Sequence, residues 1–137
     1  MIVADTGAIV ALLDNGDRHH LALRRAFEAD PGAWLLPWAV LPEVAYLALT
    51  QLGPRVELAF LSDVACGAFA VEWGETADLV RAHELAARHE ALGLGLVDAV
   101  VMAVAERLGA EAIATLDLRH FSAVSLRGNP KLLPRDL

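Results

Sequence analysis

The chain has 137 residues, about one domain's worth of core, and one domain over 1–137 is expected. Hydrophobic residues make up 56% and aromatics 6%, too apolar for a disordered chain and too poor in rings for a nucleic-acid binder that works by stacking. Eighteen acids against eleven Lys and Arg leave a formal charge of −7, the wrong sign for holding a phosphate backbone by bulk attraction.

Ile2 to Ala4 is a short β-favouring run ending at Asp5, and Ala8 to Leu13 reads as a turn or two of helix. From His19 to Ala29, Leu23, Ala26 and Phe27 lie opposite Arg24, Arg25 and Glu28, the pattern of an amphipathic helix. Trp34 to Leu36 reads as a strand, with Trp34 and Trp38 assigned to core packing rather than base stacking. Val40 to Leu52 carries apolar residues at helical spacing and stops at Gly53. Pro54 opens a helix to about Val64, with Val56, Ala59, Phe60 and Val64 expected inward. Cys66 has no second cysteine to pair with and is expected to be a buried small hydrophobe in a reducing, cytoplasmic compartment.

Phe69 to Val71 is the third expected strand. Glu75 to Ala91 is an amphipathic helix with Leu79, Val80, Ala86 and Ala87 on its apolar face; Asp78 on it, like Asp14 and Asp17 near the start of the chain, is expected to face solvent. Leu96 to Leu108 is apolar nearly all round, as in a helix buried on most sides. Ala112 to Thr115 is a strand leading to Asp117, and Ala123 to Leu126 is read as the last strand.

The start Met1 to Asp14 lacks a basic flank and does not read as a signal peptide. Between Pro31 and Pro54 the only ionisable group is Glu43, but the prolines cut this stretch into pieces shorter than the ~20 residues that span a bilayer. No membrane association is expected. Alternating strands and helices imply an α/β fold with a mostly parallel sheet of four or five strands, whose ligands gather at the carboxyl ends of the strands.

Four acids sit in or at the end of apolar segments: Asp5, Glu43, Asp98 and Asp117. Asp5 and Asp117 follow strands and so share one sheet edge. Glu43 and Asp98 lie in the first turns of their helices, where free N–H groups favour anions. Each has a bland reading taken singly, as a turn or a cap; the case rests on the set. If those helix starts face the same edge, four carboxylates converge, and they cannot all be ionised without a cation between them. Hard oxygen ligands of this kind select Mg²⁺ or Mn²⁺.

The segments IVADTGAIVALLD, PEVAYLALTQLG, GLVDAVVMAVAERLG and IATLDLRHF, in this order and spacing, resemble the PIN-domain ribonucleases, and among them the VapC-type toxins of toxin–antitoxin pairs. The resemblance spans essentially the whole chain. It implies a single PIN domain with a three-layer α/β/α fold, a Mg²⁺- or Mn²⁺-dependent endoribonuclease activity on RNA of the tRNA or rRNA class, a homodimer, and a cognate antitoxin. Carried over by residue, Asp5, Glu43, Asp98 and Asp117 match the family's metal-binding acids. Thr115, in Thr-x-Asp, matches a residue that supports them, with Thr6 alongside. Pro42, just before Glu43, departs from the pattern.

Other readings compete. Asp5-Thr6-Gly7-Ala8 looks like an aspartic-protease loop, but that fold is all-β and this chain is rich in helix pattern. A haloacid-dehalogenase-type phosphatase wants a second Asp where Gly7 stands. Gly93 and Gly95 lack the third glycine of a dinucleotide loop. A catalytically silent PIN-like binding subunit and a housekeeping RNA-processing nuclease without an antitoxin stay open as alternatives. His19 and His20 are assigned to the surface rather than to a Zn²⁺ site.

Arg18 to Phe27 and Leu118 to Arg135 contain no acid and hold seven of the eleven bases. The acidic total therefore hides two local basic segments, and Arg24, Arg25, Arg119 and His120 are the candidate RNA contacts.

Overall fold

A computed structural model describes residues 1–137. Five strands, β1 (Ile2–Ala4), β2 (Trp34–Pro37), β3 (Ala70–Glu72), β4 (Ala112–Ala114) and β5 (Lys131–Leu133), form one sheet in the order β3-β2-β1-β4-β5. Every neighbouring pair is parallel. Seven α-helices complete a three-layer α/β/α fold: α1 (Thr6–Leu13), α2 (His20–Ala29), α3 (Val40–Leu47), α4 (Pro54–Ala65), α5 (Thr76–Arg88), α6 (Gly95–Leu108) and α7 (Leu118–Ala123). No helix is long and apolar enough to cross a membrane.

The core follows from the apolar patterning. α6 buries seven consecutive residues, Ala99 to Ala105, because its alanines and valines let other elements approach on every side. Val3, Ala4, Ile113 and Ala114 fill the sheet centre, and Trp34, Phe27, Phe60 and Phe69 make an edge-on and tilted aromatic cluster under α2 and α4. Trp34 is a core residue, as its sequence setting suggests.

Several expectations are corrected. The last strand is Lys131–Leu133, not Ala123–Leu126: the chain leaving α7 buries Val124 as a loop anchor, and the strand that pairs with β4 comes only after Pro130. The helix from Val40 is α only to Leu47, widens into a π turn over Ala48–Leu52, and ends at Gly53 with φ +102°. On α4, Ala59 is exposed, while Phe60 is buried.

On α5 the inward face carries Asp78, Ala82 and Leu85, leaving Leu79 and Val80 exposed. Asp78 faces inward because Arg107 of α6 meets it at 2.7 Å and because its carboxylate caps the helix start through the Glu75 N–H. Cys66 stands exposed at the end of α4, where its chain turns away from the core.

Candidate active site

β1 is the switch point of the sheet: the chain runs from it outward through β2 and β3, then returns to its other side at β4. Ala4 lies beside Ala114 in the parallel register, so the next residues, Asp5 and Thr115, leave the sheet together at its carboxyl edge. The Asp5 N–H donates to the Ala114 carbonyl at 2.8 Å. α3 follows β2 and α6 precedes β4, so both helices start at that same edge and present Glu43 and Asp98 from their first turns.

Asp5 is 5% exposed and caps α1. Its Oδ1 accepts from the Thr6 N–H and its Oδ2 from the Thr115 hydroxyl, both at 2.8 Å. Those two bonds stabilise the anion, yet burial and the neighbouring Asp98 outweigh them and push the Asp5 pKa up to about 6. The Thr115 hydroxyl also accepts from the Asp117 N–H at 3.1 Å, so one side chain spaces the two strand-end acids. The Thr6 hydroxyl donates to Glu43 Oε1 at 2.7 Å.

His120 stands between the other two acids. Its Nδ1 lies 2.6 Å from Asp98 Oδ2 and 3.0 Å from Asp117 Oδ2. Burial raises the Asp98 pKa, Asp117 raises it further, and the imidazole pulls it back down. The bond to Asp98 raises the His120 pKa in return. Ligand atoms of Asp98, Asp117 and His120 lie within 4.8 Å of one another, a spacing at which they could hold a metal ion.

The four acids of the sequence reading are thus gathered at one edge, in two linked groups. Asp5 and Glu43 are joined through Thr6, while Asp98 and Asp117 are joined through His120. Glu43 departs from its greasy sequence setting: it is exposed, as is Pro42, because this side of the α3 start faces out. Of the basic candidates, His120 moves into the acid cluster itself. Arg119 and Arg25 are exposed, and Arg24 is bonded to Glu28 on its own helix at 2.7 Å.

Sequence reasoning did not single out Arg18 or Arg135, which line a cavity together with Thr115. Their place in the two basic windows was the only signal.

A parallel five-stranded sheet with acids crowded at its switch point defines a family when set against known proteins. The pattern of the PIN domain family matches residues 2–126, and the chain belongs to that family. Within it, the chain is 30% identical to Ribonuclease VapC26 of Mycobacterium tuberculosis over 123 residues, covering 90% of this chain and 91% of that one. Among solved structures, VapC20 of Mycobacterium tuberculosis, described as a sarcin-ricin-loop-cleaving toxin, superposes with a TM-score of 0.81 at 26% identity, covering 93% of this chain and 98% of that chain. The DNA-bound VapBC of Salmonella typhimurium shares the fold, with a TM-score of 0.72 at 20% identity over 96% of this chain and 95% of that one.

Proposed function

We propose that this protein, one PIN domain over 1–137, is a Mg²⁺- or Mn²⁺-dependent endoribonuclease and the toxin of a toxin–antitoxin module, with Asp5, Glu43, Asp98 and Asp117 as its catalytic and metal-binding acids. The observation that carries this reading is unbalanced negative charge. Asp5 is buried with hydroxyl and amide partners only, and Asp98 adds to its charge rather than relieving it. A site that keeps such charge without a guanidinium or ammonium partner suits a divalent cation, and its oxygen donors suit Mg²⁺ or Mn²⁺. The relatedness to Ribonuclease VapC26 supports RNA as substrate, and that to VapC20, a sarcin-ricin-loop-cleaving toxin, supports the ribosomal class of RNA.

When bound, a divalent cation supplies Lewis-acid activation of water and neutralises charge on the phosphate. The chain's own residues supply position. Thr115 and the Thr6 N–H fix both oxygens of Asp5, so its orientation does not wait for a ligand. The Thr6 hydroxyl draws the exposed Glu43 carboxylate toward the same edge. His120 Nδ1 holds a proton between Asp98 Oδ2 and Asp117 Oδ2, which keeps these two acids close in spite of their repulsion. The proton of the attacking water passes to one carboxylate, Asp98 or Asp117, which titrate as a coupled group.

An antitoxin partner is supported by the shared fold with VapBC complexes. Exposed Tyr46 and Leu49 after the start of α3, with Leu58 and Leu61 on α4, supply apolar surface for a protein partner, whether antitoxin or second copy in a homodimer.

The test is cleavage of purified ribosomal and transfer RNA with Mn²⁺, with EDTA, and by the Asp5→Asn variant. The wild type is expected to cut only with Mn²⁺, and the variant to lose roughly 10²–10³-fold in rate. Equal cleavage by both proteins, or none by the wild type with Mn²⁺, overturns the reading.

A further inference from the structure

Beside the acid cluster lies a cavity of about 380 Å³, within the range of small-ligand sites. Its wall includes Thr115, whose hydroxyl holds Asp5, and Leu118, the residue after Asp117. The cavity therefore abuts the Thr115–Leu118 loop, which carries Asp117 and holds Asp5 through the Thr115 hydroxyl. On its other sides stand Arg18 and His19, ahead of α2, and Pro134 and Arg135, after β5.

No carboxylate lines it, and two arginines do, in a chain of formal charge −7. Arg18 is exposed and spends one N–H on the His19 ring at 3.1 Å, with no acid paired to it. Arg135 is fixed in place by Asp136 at 2.7 and 2.9 Å. Leu116, Leu118 and Pro134 add an apolar wall, and Leu118 is 40% exposed although it adjoins a charged site.

The other hollows lack this combination. The largest, about 530 Å³, lies at the opposite end of the sheet beside Met1 and Asp30. The one next to Arg24 also holds Glu28 and Asp63.

From this placement we infer that the cavity seats a nucleotide of the RNA flanking the scissile phosphate. Arg18, which has no acid partner, holds its phosphate, Arg135 adds the Nη1 donors that Asp136 leaves free, and its splayed base rests against Leu116, Leu118 and Pro134. This rests on the nuclease reading above and adds a subsite that selects the position of the cut. Guanidinium groups match phosphate oxygens in pairs, and RNA is read where unstacked bases leave the helix for apolar or planar side chains. Arg18 joins Arg24 and Arg25 as a basic residue of its segment, and it is the one that lines the cavity.

The test uses the full chain with Mn²⁺ and a synthetic oligoribonucleotide spanning a cut mapped in ribosomal or transfer RNA. Arg18→Ala is expected to raise KM by roughly tenfold, change kcat by less than about twofold, and leave Mn²⁺ affinity unchanged. Removing one base next to the cut is expected to lower the wild-type kcat/KM by about tenfold. The same lesion is expected to cost little further in Leu118→Ser, whose thermal midpoint and Mn²⁺ affinity serve as folding controls.

If Arg18→Ala leaves KM unchanged, or the lesion and Leu118→Ser act independently, the subsite is overturned while wild-type cleavage keeps the nuclease reading standing. Loss of antitoxin binding with KM intact assigns the cavity to a protein and also overturns it. A wild type that cuts no RNA removes both readings.

Discussion

Two regions hold buried or half-buried carboxylates, and they treat them in opposite ways. At the α5–α6 interface each acid has a guanidinium. Arg107 bonds Asp78 and Glu72, and Arg81 bonds Glu106 at 2.7 Å and Glu84 at 3.2 Å. Arg107 is held protonated by Asp78 and Glu72, and the Glu106 pKa is lowered by Arg81 and by the Arg127 N–H despite its burial. At the carboxyl edge of the sheet, burial and Asp98 push Asp5 upward, and burial and Asp117 push Asp98 upward against the pull of His120. Charges balanced by guanidinium groups hold helices together; at the sheet edge Asp98 and Asp117 share one imidazole and Asp5 has no cationic partner, which on the reading proposed above leaves room for a cation.

That contrast breaks most visibly through Arg107. Arg107→Ala strands Asp78, which is 2% exposed, beside Glu72, and it is expected to destabilise the protein by about 3–4 kcal/mol. Denaturant unfolding measures it, and a change under 1 kcal/mol, roughly that of an exposed pair, would remove the distinction between the two regions.

The opposite sign is expected at Asp5. Its folded pKa of about 6 lies above the ordinary carboxyl value of 3.8, so the metal-free folded state binds the proton more tightly than the unfolded chain does. Metal-free stability therefore falls as pH rises from about 4 to about 6, and the penalty is complete above that window. Asp5→Asn cannot ionise and is expected to be more stable than the wild type at pH 7 without metal, by about 2 kcal/mol. Saturating Mn²⁺ should reverse the order, since only the wild type then gains the ligand's binding energy. A metal-free Asp5→Asn variant that melts below the wild type at pH 7 contradicts the unbalanced-charge account.

The smallest effect marks the outer limit of the comparison. Arg24 and Glu28 pair on an exposed helix face, and Arg24→Ala is expected to leave the denaturant midpoint unchanged within error. Its KM for RNA should stay within about twofold of wild type, against the larger rise expected for Arg18→Ala.

Much of the site was legible because a parallel sheet turns one-dimensional cues into a place: an acid just after a strand, or in the first turn of a crossover helix, comes to the carboxyl edge. Asp5, Asp98 and Asp117 follow that rule. Asp78 was misjudged because its partner, Arg107, lies 29 residues away and periodicity carries no information about partners. β5 was missed because it offers only Leu132 and Leu133 as buried residues, a run too short to stand out from a loop, while Val124 mimics a strand residue. The cavity was illegible for a related reason: its walls come from residues 18–22, 115–118 and 134–135, which only the folded sheet brings together.

The pairing of β1 with β4 also bears on how the chain is made. Asp5 and Thr115 are separated by 110 residues, so a growing chain carries its first acid long before the hydroxyl that orients it exists. The early segments can pair β1 with β2 and β3, but they hold only Asp5 and Glu43. During synthesis the edge gains its full set of acids only after α6 and β4 have emerged and slid in beside β1. On the nuclease reading proposed above, a chain truncated before β4 lacks both Thr115 and Asp117 and is expected to be inactive.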